Sequence, residues 1–108
     1  MLHERRVYHA APKKLGQLVQ RFKTHNIPIY ERLGIRTVGA WTVAIGEAND
    51  QLIYMLEWES LAEREEKWSA FMQDSEWQKI WAETDKEGPL VRYASNEVLQ
   101  PVIGRLNG

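Results

Sequence analysis

Two neighbouring strand-like runs, each apolar on both faces, constrain this chain more than any other feature. Residues 35–45 alternate, with Ile35, Thr37, Gly39, Trp41, Val43 and Ile45 on one side and Arg36, Val38, Ala40, Thr42 and Ala44 on the other. Only one of these eleven is charged. Residues 52–59 alternate again, placing Leu52, Tyr54, Leu56 and Trp58 on one face and Ile53, Met55, Glu57 and Glu59 on the other. The segment 46–50 between them is rich in Gly, Asn and Asp, so the pair reads as a β-hairpin. Such a hairpin has to be covered on both sides, because an exposed apolar patch of that size is rare on a monomer.

The remaining pattern supplies one of the two covers. Residues 2–9 read as a first strand, ended by Pro12, which is placed to open a helix. From Leu15 the residues Leu18, Val19, Phe22, Ile29 and Leu33 keep the three-and-four spacing of an amphipathic helix, and Gly34 is its C-terminal cap. Pro28 cannot donate to the carbonyl four residues back, which predicts a kink or break around residues 25–27. Ser60 with Glu63 forms a capping box that opens a second helix with Leu61, Trp68, Phe71 and Met72 inward. Asp74 and Ser75 interrupt it, and Ser75 with Gln78 reads as a second box, followed by Trp77, Ile80, Trp81 and Thr84 on the buried side. Gly88-Pro89 closes the segment, and residues 91–100 form a last strand.

The order is strand, helix, strand, strand, helix, strand: an α+β ferredoxin-like βαββαβ unit with both helices on one face of a four-stranded antiparallel sheet. The chain of 108 residues reads as a single domain over 1–108, with its core over about 2–101. Five tryptophans, four tyrosines and two phenylalanines are much apolar bulk for one small core. A homodimer that packs sheet on sheet through the open face is the expected second cover.

Several functions are excluded by residue content. Without cysteine there is no disulfide framework and no thiolate metal site. No apolar run approaches the roughly 20 residues of a membrane span, so no membrane insertion is expected. The first residues carry Glu4 and alternate, so they read as a strand and not a leader, which points to the cytoplasm. Charge divides as +4 over residues 1–50 and −5 over 51–108. The basic residues are scattered and form no aromatic-interleaved stripe, so no nucleic acid is expected. His3 and His9 share a face but stand roughly 20 Å apart along an extended strand, too far to share a metal ion. No Gly-x-Ser-x-Gly nucleophile motif and no glycine-rich phosphate loop is present, and no cofactor is expected.

Glu4-Arg5-Arg6-Val7-Tyr8, Pro12-Lys13-Lys14-Leu15, Phe22, His25, Pro28 and Gly34 form one ordered set of residues in the first half of the chain. Val38-Gly39-Ala40-Trp41-Thr42, Ile45-Gly46, Asn49, the run from Trp58 to Arg64 and Asp74-Ser75-Glu76-Trp77 continue it. With these in register, the chain as a whole resembles a NIPSNAP domain. Two positions depart from the pattern: Lys13 stands where the family often has glycine, and Arg5 where an apolar residue is common. The resemblance implies the dimeric α+β barrel superfamily, whose wider members include cofactor-free monooxygenases, lactone isomerases, haem enzymes and ligand-sensing domains. At the level of fold this sets an expectation and no reaction.

Arg6 and Tyr8 share a face of the first strand, and an arginine there needs an anion. Glu57 or Glu59 on the neighbouring strand could supply it; alternatively, the guanidinium and the Tyr8 hydroxyl could hold a carboxylate or enolate ligand. His25 and Tyr30 flank the Pro28 interruption, where His25 either satisfies freed carbonyls or acts as a general base. Arg64 lies on the apolar side of its helix, between Leu61 and Trp68, and could reach a buried or interfacial acid. The tryptophans read chiefly as core and interface packing. The resulting expectation is a homodimer that binds a small organic molecule between sheet and helices. In it, His25 and Tyr8 are the catalytic candidates and Arg6, Tyr30, Trp41, Glu57 and Arg64 the ligand-binding ones. Proton transfer or oxygenation without a cofactor would suit these groups. The competing expectation is an interaction or scaffolding dimer without a ligand, in which Arg6 is paired with an acid and His25 is bonded to backbone.

Overall fold

The computed structural model describes residues 1–103, so the last five residues of the expected 1–108 domain lie outside the described residues. Its elements are β1 (Leu2–Ala10), α1 (Leu15–Arg21), a π-helical turn (Phe22–Asn26), α2 (Ile27–Leu33), β2 (Arg36–Thr42), β3 (Gln51–Trp58), α3 (Leu61–Gln73), α4 (Ser75–Thr84) and β4 (Val91–Leu99). The strands form one antiparallel sheet in the order β2-β3-β1-β4, which is the ferredoxin-like arrangement. Helices cover one face, and the core between the layers is built from Leu18, Phe22, Ile29, Tyr30, Leu52, Tyr54, Leu56, Trp58, Phe71 and Leu90.

Local chemistry explains where the elements begin and end. Gly34 takes φ +76° after α2 and returns its N–H to Glu31 and Tyr30. Ser60 caps α3 by accepting from Glu63 N at 3.1 Å, while the Glu63 carboxylate accepts from Glu59 N at 2.8 Å. The cap of α4 is Asp74, whose carboxylate accepts from Trp77 N at 3.0 Å; Ser75 is already helical. The expected Ser75–Gln78 box is thus displaced by one residue, because an aspartate in extended conformation already meets the free N–H groups. Pro12 does not open a helix either. It lies in a turn closed by Lys14 N to Ala11 O, and α1 starts at Leu15.

Two irregularities set the geometry of the site. The break expected before Pro28 is the π-helical turn Phe22–Asn26, in which Ile27 N–H reaches back to Phe22 O. In an α-helix, residues four apart drift by about 40° per step. The wider turn offsets that drift and keeps Leu18, Phe22, Asn26 and Tyr30 all buried against the sheet. In β2, Thr37 pairs with Leu56 and Gly39 with Met55, so Val38 is a bulge. The alternation of residues 35–45 therefore changes phase: Thr37 faces the helices, whereas Gly39 and Trp41 face the open side. The strand also ends at Thr42, short of Ile45.

Candidate functional site

The helix-facing side of β1 carries three polar residues, Glu4, Arg6 and Tyr8. Glu4 has no exposed surface. Its Oε1 accepts from Arg64 Nε at 2.8 Å and Trp58 Nε1 at 3.0 Å. Its Oε2 accepts from Arg6 Nη1 at 2.8 Å, Asn96 Nδ2 at 2.9 Å and Arg64 Nη2 at 3.0 Å. Burial alone would raise this carboxyl, but the bonds from Arg64, Asn96 and Trp58 and the charge of Arg6 hold it at about 2. Glu4 is the anion that Arg6 requires, and it is also the acid that Arg64 reaches.

Arg6 is 11% exposed at its side chain. Its Nε donates to the Tyr54 hydroxyl at 2.9 Å, and its guanidinium carbon sits 4.2 Å from the Trp68 ring centre, a cation–π contact. Burial opposes the charge, but the Tyr54, Tyr8 and Glu4 oxygens outweigh that cost and raise the Arg6 pKa. The hydroxyls of Tyr8 and Tyr54 are 2.7 Å apart, those of Tyr54 and Tyr30 are 3.1 Å apart, and Asn26 Nδ2 lies 3.5 Å from the Tyr30 hydroxyl. Burial pushes the Tyr30 and Tyr54 phenols well above the ordinary tyrosine range, so both stay neutral.

Arg6 and Tyr8 form the floor of a cleft of about 350 Å³ between the sheet and α3/α4. The helices leave β4 partly uncovered, so Ala94, cross-strand from Tyr8, opens to it with Val91. One wall is a run of aromatic rings: Trp68 to Phe71 at 5.1 Å, Phe71 to Trp77 at 5.0 Å, and Trp77 to Trp81 at 6.0 Å, the last two pairs stacked. Helical spacing makes the run, since Trp68 and Phe71 are three apart on α3 and Trp77 and Trp81 four apart on α4. Arg21 and Asp85, bonded at 2.9 Å, and Pro89 complete the lining.

Among the sequence-derived candidates, the structure brings together Arg6, Tyr8, Tyr30 and Arg64. The other three stand elsewhere. Trp41 pairs with Ile53 on the open face of the sheet and is 53% exposed. Glu57 is on that face too, 3.5 Å from His3 and 3.6 Å from Arg36, because it is cross-strand from His3 rather than from Arg6. It is therefore not the partner of Arg6, and Glu59 contacts Arg36 instead. His25 is half-buried in a separate groove with Lys14, Gln17 and Glu83, and does not line the cleft. Glu4 and Asn96 were missed. Glu4 alternates in phase with Arg6 and Tyr8, and that phase was the signal that could have found it.

Among the described residues no group of three histidines or acids could hold a metal ion, and no helix is long and apolar enough to cross a membrane. No curated protein matches the chain. Solved structures share its fold. An uncharacterised NIPSNAP domain protein from Burkholderia xenovorans is 18% identical, with 99% of this chain and all of that one covered at a TM-score of 0.82. A NIPSNAP family protein from Agrobacterium tumefaciens is 22% identical, with 94% and 93% covered at a TM-score of 0.82. A putative antibiotic biosynthesis monooxygenase from Nitrosomonas europaea is only 6% identical, with 94% and 99% covered at a TM-score of 0.65. The NIPSNAP family profile matches residues 3–103, nearly the whole chain, and the chain belongs to the NIPSNAP family.

Proposed function

We propose that this protein binds a small organic molecule in the cleft above Arg6 and Tyr8, as a homodimer joined through the open face of its sheet. The observation that carries the first part is the cleft itself. Its volume of about 350 Å³ lies within the usual range of small-molecule sites, and it combines apolar walls with a few convergent polar groups. Binding is better supported than catalysis. His25, the general-base candidate, opens on another groove, and Tyr8 is the one phenol lining the cleft. Were there chemistry, it would be proton transfer or oxygenation carried largely by the ligand. The homodimer is supported by the open face, where Trp41 beside Ile53 and Tyr93 stacked on His9 are each about half exposed.

One observation favours the competing scaffold reading: Arg6 is paired with an acid, Glu4, as a purely structural arginine would be. Thermal-shift screening of chemically varied small molecules, with Arg6→Ala alongside the wild-type protein, separates the two. Binding predicts that at least one compound class stabilises the wild type and that Arg6→Ala loses the response. A variant that is merely less stable, with no compound acting on either protein, would leave the scaffold reading standing.

A further inference from the structure

The polar end of the cleft holds more positive charge than its own residues neutralise. Arg6 and Arg64 share the single carboxylate of Glu4, while Arg21 in the opposite wall is matched by Asp85. One positive charge is left over on the floor. Arg6 Nη1 and Nε are used by Glu4 and Tyr54, but Nη2 bonds to none of the described residues. Among those residues Arg21 Nε is the one side-chain nitrogen or oxygen that is both buried and unpaired, so Arg6 Nη2 reaches open space.

The hydroxyl chain beneath gives Tyr8 a direction. Tyr54 accepts from Arg6 Nε, so its oxygen has room for one further donor. Tyr30 has no exposed surface, accepts from Asn26 Nδ2, and meets one other polar side chain, Tyr54. A Tyr30 proton aimed anywhere else would be a buried donor without a partner, which is costly. Tyr30 therefore donates to Tyr54 and Tyr54 donates to Tyr8. The Tyr8 oxygen is left as an acceptor within the protein, and its proton is free to point into the cleft. Two donors, Arg6 Nη2 and Tyr8 O–H, then face the same space, and beside them stand the stacked rings of Phe71, Trp77 and Trp81.

We infer that the ligand is a flat aromatic carboxylate, its oxygens received by Arg6 Nη2 and the Tyr8 hydroxyl and its ring laid along the indole wall. Asn26, Tyr30 and Tyr54 are positioning residues that hold Tyr8 as a donor. This rests on the reading of the cleft as a binding site and adds the charge and polarity of what it takes. Asp85 in the opposite wall is already engaged by Arg21 and Trp81, whereas both polar groups on the floor donate, so the floor accepts a carboxylate and rejects the matching amide, whose N–H₂ would face an unpaired donor.

The test is calorimetric titration with benzoate, 2-naphthoate and indole-3-acetate, each against its own primary amide. The wild-type protein should bind at least one acid roughly tenfold or more tightly than its amide. Tyr8→Phe should lower acid affinity by roughly tenfold and leave the amide nearly unchanged. Tyr30→Phe, which touches no ligand, should also lower acid affinity selectively, by about threefold, since the Tyr54 oxygen, no longer filled by the Tyr30 proton, can then accept the Tyr8 proton in competition with the ligand. A purely structural Tyr30 would alter thermal stability without altering the acid-to-amide ratio. Amides binding as well as acids, or a ratio untouched in both variants, would overturn this inference while leaving the cleft as a binding site. Should neither series bind, the cleft reading falls with it. Tyr8→Phe removes one half-buried hydroxyl and decides the matter even if Tyr30→Phe does not fold.

Discussion

Glu4 shows how a buried charge is kept in a small core. Five donors reach its two oxygens, and two of them come from one guanidinium in a bidentate pair, the geometry that best repays desolvation. Glu4→Gln keeps the shape but removes the charge between two arginines. It should destabilise the protein by about 3 kcal/mol, the low end for breaking a buried pair, because Arg64 keeps some contact with water. Urea unfolding at neutral pH measures this. The pH dependence follows from the lowered pKa. Glu4 is ionised above about 2 in the folded chain and only above the ordinary 4.5 when unfolded. Its contribution is therefore complete above pH 4.5 and is lost as the pH falls from there towards 2. Wild-type stability should fall across that window, and the Glu4→Gln variant should lose this part of the slope. Two matching slopes would show that other carboxylates, Glu63 foremost, carry the acid sensitivity. At this scale the sequence was half legible. The shared face of Arg6 and Tyr8 and the inward position of Arg64 were readable from spacing alone. The partner was signalled by its phase alone, because a charged residue two positions away on the same strand reads as solvated until the fold places an arginine from α3 and an indole from β3 against it.

Element types and order were legible throughout, since periods of 2 and 3.6 are fixed by backbone geometry. What escaped were the places where one residue changes the phase: the Val38 bulge, the π-helical turn and the start of α4. Each depends on tertiary neighbours, such as Trp41 lying over Gly39 so that an added Cβ would sit 2.9 Å from its ring. Two positive-φ residues bracket the first helical segment and make opposite predictions. Lys13 adopts φ +66°, a conformation that strains any residue with a Cβ, whereas Gly34 adopts φ +76° at the end of α2. Lys13→Gly should stabilise by about 1 kcal/mol, with the relieved strain partly offset by greater freedom of the unfolded chain. Gly34→Ala should destabilise by about 1 kcal/mol or more, because its new Cβ would also come within 3.1 Å of the Lys67 ammonium. Paired denaturation curves of the two variants and the wild type test both signs. A destabilised Lys13→Gly would mean that the lysine side chain contributes contacts that outweigh its backbone strain.

For the whole molecule, the question is what covers the second face of the sheet. The helix side is closed by its own core apart from the cleft, whereas the open side presents Trp41, Tyr93 and Leu99 among charged neighbours such as Arg5 and Glu97. Two-sided apolar strands pointed to a second subunit, and the bulge sharpens that by turning Gly39 and Trp41 towards the open side. Trp41 thus belongs to a different surface from Arg6, and of the five tryptophans Trp58 is in the core, Trp68, Trp77 and Trp81 line the cleft and Trp41 stands on a face that a second copy would bury. A sheet-on-sheet homodimer would bury Trp41, a large ring at low entropic cost, from the edge strand β2. Sedimentation at micromolar concentration should give twice the chain mass for the wild type. Trp41→Glu should shift it towards the single-chain mass while far-UV circular dichroism and any acid binding remain as they were, since no cleft residue is on that face. A wild-type chain that sediments as a monomer would remove the homodimer. Equal dimerisation by Trp41→Glu would keep the homodimer but move its interface away from this face.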